Sequence, residues 1–343
     1  MRLFRSPFRV PAILTLMAFA LITHLQLGKN SLQGACVPLS HTSPNANWSR
    51  FAYAQYVTNI AYLCNSVMIF EALSRLGSKA DRFMMYPSNY QVDSTSEAGR
   101  LLSLARDKYN VRLVPITVQR RNSDDELTGK ATWAESYTEL LVFNQTQYDR
   151  VLSLDSDATI LQVSLDELFL LPPCPVAMPR AYWLDFNERI LASNIMLLQP
   201  SEVEFSRIMQ SIDSAGSSVY DMDIMNQIYR DSALILPHRP YNMLTAEFRF
   251  TNHTPYLGNP HEVWDPEKAL VEAKYIHFSD WPVSKPWIKT PHSIMLEKQP
   301  VCNVELASGS EDCRDRDHWL GFYEDFARRR ESICGEGFKR ENA

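Results

Sequence analysis

The sequence predicts an α/β fold, a mostly parallel sheet with helices on both faces, from three observations. Strand-like and helix-like segments alternate from Phe51 onward, the order that builds parallel sheets through crossover helices. The mostly apolar segment Val151–Leu154 stops at two acids two positions apart, Asp155 and Asp157, and open parallel sheets take ligands at the carboxyl ends of their strands. A chain of 343 residues, 45% of them hydrophobic, can bury a full core within one large domain.

Before that domain, residues 1–9 hold Arg2, Arg5 and Arg9 without an acid, and residues 10–27 are apolar apart from Thr15, Thr23, His24 and Gln26. The apolar run reaches the lower limit for a membrane-spanning helix, and its basic flank keeps the N-terminus cytosolic. A cleaved signal peptide is the alternative; the run is long for one and no Ala-x-Ala site follows it, which favours an uncleaved anchor. Residues 28–49, rich in Ser, Asn, Pro and Gly, read as a stem. Residues 50–330 then form a single lumenal domain and residues 331–343 a tail. Acceptor sequons at Asn47, Asn144 and Asn252 fit that compartment, as does an even set of cysteines, Cys36, Cys64, Cys174, Cys302, Cys313 and Cys334. Cys302 with Cys313 is the expected bridge, while Cys64 and Cys174 read as buried thiols.

Within the body, Phe51–Thr58 reads as the first strand and Ala61–Leu76 as a helix ended by Gly77. Arg82–Tyr86 follows as a strand, Ala98–Tyr109 as a helix and Val111–Thr117 as the third strand. Ala134–Gln145 is the helix expected to feed the strand Arg150–Leu154, and Ala158–Leu161 is a second apolar segment. Phe322–Arg330, which carries three consecutive arginines, reads as a solvated helix end. Trp183, Trp264 and Trp319 fit either a carbohydrate groove or partly buried core.

Composition and missing motifs narrow the chemistry. A formal net charge of −6 argues against a nucleic-acid partner. The chain lacks the glycine-rich dinucleotide fingerprint, the P-loop and the Gly-x-Ser-x-Gly elbow. Asp155 and Asp157 place their side chains on one side of an extended chain, where a hard divalent cation relieves their repulsion and binds a diphosphate.

Tyr148-Asp-Arg-Val-Leu-Ser-Leu-Asp155-Ser156-Asp157-Ala, followed by Leu165-Asp-Glu-Leu-Phe169, resembles the central segment of the glycogenin-like retaining glycosyltransferases, family 8. His277-Phe-Ser-Asp280-Trp-Pro-Val-Ser-Lys285-Pro-Trp287 resembles that family's His-Phe-x-Gly-x-x-Lys-Pro-Trp signature with an insertion. The resemblance covers roughly residues 50–290. With the N-terminal anchor, its form is most similar to the fungal α-N-acetylglucosaminyltransferase group, also labelled glucose N-acetyltransferase.

The resemblance implies a GT-A fold and Mn2+-dependent transfer from a UDP-sugar, most of all UDP-N-acetylglucosamine, to a hydroxyl of a mannose-containing glycan with retention. It makes Asp155, Asp157 and His277 the metal ligands and puts Ser156, between the acids, against the donor. Lys285 holds the departing diphosphate. Tyr56, Thr58, Asn59 and Tyr62 match the residues that receive the nucleoside, although Thr58 or Asn59 serves equally well as a helix cap. Asn194 and Asp221 position donor or acceptor, with helix capping as the alternative for Asp221. It further implies a single-pass type II protein of the Golgi membrane and admits a homo-oligomer. UDP-glucose or UDP-galactose as donor, or a catalytically silent glycan-binding protein, are the alternatives.

The chain departs from the family pattern at four places. No glycine follows Asn194 two residues on, Met222 replaces a glutamine, Asp280 stands near the signature glycine, and Glu139 replaces a lysine. Arg106, Arg112 and Lys130 are the candidates to compensate for that lysine.

Overall fold

The computed structural model describes residues 46–120, 135–161, 165–216, 218–304 and 311–342. The expected cytosolic tail and anchor, and most of the stem, lie outside the described residues, as do Cys36 and Lys130. Among the described residues no helix is long and apolar enough to cross a membrane.

Strands β1 (Phe51–Tyr56), β2 (Asp81–Pro87) and β3 (Val111–Ile116) alternate with helices α1 (Ile60–Arg75) and α2 (Glu97–Tyr109). Each helix begins on a sequence-encoded cap: Asn59 Oδ1 accepts from the Ala61 and Tyr62 amides, and Ser96 Oγ accepts from the Gly99 amide. Strand β4 (Arg150–Leu154) is buried throughout. It is followed by β5 (Ala158–Ile160), β6 (Val176–Pro179), β7 (Ile195–Leu198), helices α3 (Glu202–Asp213) and α4 (Asp221–Tyr229), and β8 (Leu234–Leu236). Strands β9 (Met243–Leu244) and β10 (Tyr275–His277) and a long C-terminal helix, α5 (Arg314–Cys334), complete the frame, with shorter helices between.

The seven-stranded sheet runs β3-β2-β1-β4-β7-β6-β8. The β3-β2-β1-β4 half is parallel, whereas β7 lies antiparallel to both β4 and β6. The chain steps outward from β1 to β3 and then returns to pair β4 on the other side of β1. The strand order therefore reverses between β1 and β4, and the carboxyl ends at such a point open into a crevice. Side chains along β1 alternate between two cores: Tyr53 packs with helix-side residues such as Leu63, Leu102 and Phe326, and Ala52 and Ala54 with Phe143, Ile208 and Ile224. A sheet covered on both faces gives β4 its near-continuous apolar run.

The expected helix over 134–145 is instead a 3-10 helix, Ser136–Asn144, and Ala134 lies outside the described residues. Its buried residues Tyr137, Thr138, Glu139, Leu140, Val142 and Phe143 leave no single apolar stripe to select the α geometry. The arginine triplet is not a solvated helix end either: it lies within α5, and Arg330 is 1% exposed.

Two disulfides fasten the C-terminal region. Cys302–Cys313 is bridged as expected, but Cys64 is no thiol: it is bonded to Cys334, joining α1 to the end of α5. Cys174 is buried.

Candidate active site

The short second sheet, β5-β10-β9, unites the two acids with a histidine far along the chain. β5 leaves three residues after β4 and pairs antiparallel with β10, with His277 opposite Ala158. The Phe278 amide donates to the Asp157 carbonyl at 2.9 Å. His277 Nε2 consequently lies 3.1 Å from Asp157 Oδ1 and 3.5 Å from Asp155 Oδ2. One ligand atom from each of Asp155, Asp157 and His277 falls within 4.8 Å of the others. Burial and then the Asp157 charge push the Asp155 carboxyl up; burial also opposes ionisation of Asp157, but Lys285 and His277 outweigh it and hold that carboxyl low.

Lys285 Nζ sits 2.5 Å from Asp157 Oδ2 and donates to the Phe278 carbonyl at 2.7 Å. The loop carrying it is built on Asp280, the residue near the expected glycine. That buried carboxylate accepts from Trp319 Nε1 at 3.0 Å and Tyr323 hydroxyl at 2.9 Å, both on α5, and from Thr245. Arg249 donates to the Asp280 carbonyl at 2.8 Å. Asp280 thus replaces backbone freedom with a four-partner anchor, and Trp319 is core rather than groove.

Beside the acids, Tyr56 donates its hydroxyl to Asp155 Oδ1 at 3.2 Å. Tyr56, Thr58 and Tyr62 line one cavity of about 440 Å³ together with Asp155, Asp157, Asn194, Asp221, His277 and Lys285. Asn59 and Ser156 are not among its wall residues; Asn59 spends its side chain on capping α1, and Ser156 is buried. Tyr62 stands edge-on to Trp287, ring centroids 5.3 Å apart.

Asp221 is the first residue of α4, but Asp223 does the capping, accepting from the Tyr220 amide at 2.9 Å. Asp221 Oδ2 instead accepts from Ser193 Oγ at 2.7 Å, and burial raises its pKa. The Asn194 side chain donates to Asn242 Oδ1 at 2.7 Å, and its own Oδ1 has no hydrogen-bond partner among the described residues. An orphaned buried acceptor in a cavity wall is costly unless a ligand donates to it.

Glu139 is 1% exposed and accepts from Ser153 Oγ at 2.8 Å. Burial, followed by the Asp155 and Asp221 charges, pushes its pKa well up. Neither Arg106 nor Arg112 balances it in the way expected: Arg106 is engaged by Asp93 and Asp107, and Arg112 bears on Tyr148. The lysine-to-glutamate change is met by favouring the uncharged acid.

The cavity also takes in Glu135, Ser136, Trp183, Ser193, Tyr220, Met222 and Ser279. Ser136 and Ser279 escaped sequence reading because neither bears a charge or a distinctive spacing. A larger cavity of about 640 Å³ around Trp264 and Arg249 has carboxylates already engaged, Asp315 by Trp264 Nε1 at 2.8 Å and Glu262 by Arg239 at 3.0 Å. The grouping of Cys302, Glu311 and Cys313 has both sulfurs in a disulfide. The imidazole and two carboxylates of the smaller cavity are a donor set that suits Mn2+.

The strand reversal and the Asp-x-Asp at the end of β4 define a GT-A-type fold, the class of the nucleotide-diphospho-sugar transferases. Among solved structures, the WbbM bifunctional glycosyltransferase is similar in fold, with a TM-score of 0.50 and 16% identity, over 93% of this chain and 57% of that one. Glucose N-acetyltransferase 1 of Aspergillus fumigatus is 46% identical over 87% of this chain and 80% of its own length. Glucose N-acetyltransferase 1 of Gibberella zeae is 58% identical over 84% of this chain, which spans 63% of that relative's length. The chain belongs to the glucose N-acetyltransferase family. No family model matches it.

Proposed function

We propose that this protein is a Mn2+-assisted retaining glycosyltransferase that moves N-acetylglucosamine from UDP-N-acetylglucosamine to a hydroxyl of a mannose-containing glycan. The observation that carries this is the convergence of Asp155, Asp157, His277 and Lys285 on one cavity from sequence blocks more than a hundred residues apart. A glycan-binding module has no need of such a set. The names of the relatives and the fold support N-acetylglucosamine and a GT-A enzyme respectively.

Asp155, Asp157 and His277 would hold the cation. When bound, it supplies positive charge against the donor diphosphate. Tyr56, Thr58 and Tyr62 receive the nucleoside from the end of β1, the turn after it and the start of α1, and Lys285 offsets charge as UDP departs. Asn194 Oδ1 offers an acceptor to a sugar hydroxyl, and Asp221, fixed by Ser193, orients donor or acceptor. The anomeric C–O bond to UDP breaks while a C–O bond to the acceptor forms on the same face. The acceptor proton leaves with a phosphate oxygen of UDP.

The test is UDP release by the purified protein from UDP-N-acetylglucosamine, UDP-glucose and UDP-galactose, with Mn2+ and after chelation. Turnover should require the cation, prefer the first donor, and fall at least about a hundredfold in Asp157→Ala. Unchanged turnover in Asp157→Ala after chelation would refute the metal-assisted reading. Preference for a hexose would reject the donor alone.

We also place the protein in the Golgi membrane, anchored by residues 10–27 with its body in the lumen. All three sequon asparagines, Asn47, Asn144 and Asn252, are exposed, which supports a lumenal body. Carbonate-resistant membrane association with a glycosidase-sensitive mass is expected. Full release by carbonate would replace the anchor with a cleaved leader.

A further inference from the structure

The two ends of the proposed donor site come from opposite ends of the chain. Tyr62 lies in the first turn of α1, where the nucleoside is placed, and Lys285 lies on the loop that ends at Trp287. The Tyr62–Trp287 ring contact at 5.3 Å is one link between them. Behind that contact lies Arg330 of α5, 1% exposed. Its Nη1 donates to the Ala61 carbonyl at 3.1 Å and to Asn65 Oδ1, both in the opening turns of α1. Its guanidinium carbon stands 5.8 Å from the centre of the Trp287 ring and 5.3 Å from that of Phe338. One turn further along α5, Cys334 is bonded to Cys64, so helix and arginine hold the same stretch of α1.

A buried guanidinium is costly to desolvate and persists where several partners fix it. Here the partners belong to two segments more than two hundred residues apart along the chain. From that geometry we infer that Arg330 is a positioning residue for UDP: it fixes the distance between the nucleoside-receiving turn of α1 and the diphosphate-facing loop of Lys285. The inference rests on the donor-site reading above. Arg330 acts through Ala61, Asn65 and Trp287. Lysine can carry the charge to one partner but cannot span both a carbonyl and an aromatic face as the planar fork does.

The experiment uses the full chain and UDP with Mn2+ as the probe. UDP affinity by calorimetry should weaken about tenfold in Arg330→Met, the scale of one lost charge-assisted hydrogen bond, and recover in part in Arg330→Lys. Asn65→Ala, which keeps the guanidinium, should show a smaller loss of the same sign and covers the case in which Arg330→Met fails to fold. Hydrogen exchange without ligand supplies a readout that loss of global stability would not reproduce: residues 60–65 and 279–287 should exchange faster together, while β1 and β4 stay protected. Unchanged UDP affinity in the variants, or faster exchange confined to α5 or spread evenly over the sheet, overturns the inference. Wild-type protein that binds no UDP with Mn2+ overturns the donor-site reading, and with it a donor role for Arg330.

Discussion

Asp155 in the cavity wall and Glu139 buried beside Ser153 both oppose their own ionisation. Burial and the neighbouring Asp157 raise Asp155, so the metal-free fold is stabilised when that acid is neutral. Asp155→Asn should therefore raise the melting temperature of the chelated protein at pH 8 by about 2 °C or more. The same variant should abolish the further rise that Mn2+ gives the wild type; a Mn2+ response equal to that of the wild type would remove Asp155 from the ligand set. Glu139 gives a second test, at a carboxyl outside the ligand set. Because its folded pKa is raised, the stability it provides is full below the carboxylate's ordinary value and is lost as pH rises toward the folded one. In Glu139→Gln that loss disappears, so the variant's stability relative to wild type should increase between pH 5 and pH 8, as urea denaturation at each pH would reveal. A constant difference across that range would mean that Glu139 is ionised in the fold.

The elements that carry the site are held by their connections as much as by their own sequences. Helix α1 presents Tyr62, and α5 secures both α1 and the Asp280 loop, through Cys334 and through Trp319 and Tyr323. The Cys64–Cys334 bridge spans 270 residues and the Cys302–Cys313 bridge 11. On chain-entropy grounds, removing the long bridge with Cys64→Ala and Cys334→Ala should cost about 5–6 kcal/mol, and removing the short one less, about 3 kcal/mol. Guanidinium denaturation of the two double variants measures both; a greater loss from the short bridge would contradict the entropic account.

Across the molecule, one sheet reversal organises the chemistry. The strand order reverses between the parallel neighbours β1 and β4, the acids stand at the end of β4, and the small β5-β10-β9 sheet closes His277 onto them. The family signature near the C-terminus and the Asp-x-Asp at the middle are thereby parts of one wall. The long helix α5, outside the recognised family stretch, backs that wall from behind, which is why a residue as remote as Arg330 bears on donor geometry.

The sequence alone determined the strand and helix order from Phe51 to Ile116 and the strand Arg150–Leu154, because hydrophobic period and stops such as Gly77 are local signals. It also marked the acid pair at the end of an apolar run, while His277 and Lys285 were singled out by the resemblance of their segment to the family signature. The rest depended on long-range contact. Arg330 is enclosed by Ala61, 269 residues away, and Asp221 is drawn from the cap position to Ser193, 28 residues back, whereas Asn59 and Asp223 cap their own helices through near neighbours, a side-chain orientation that spacing leaves open. The same holds for Glu139, whose acidity reflects a buried neighbourhood assembled from β4 and α4. Cys64 found Cys334 only because α5 folds back over α1, a pairing that linear spacing does not encode.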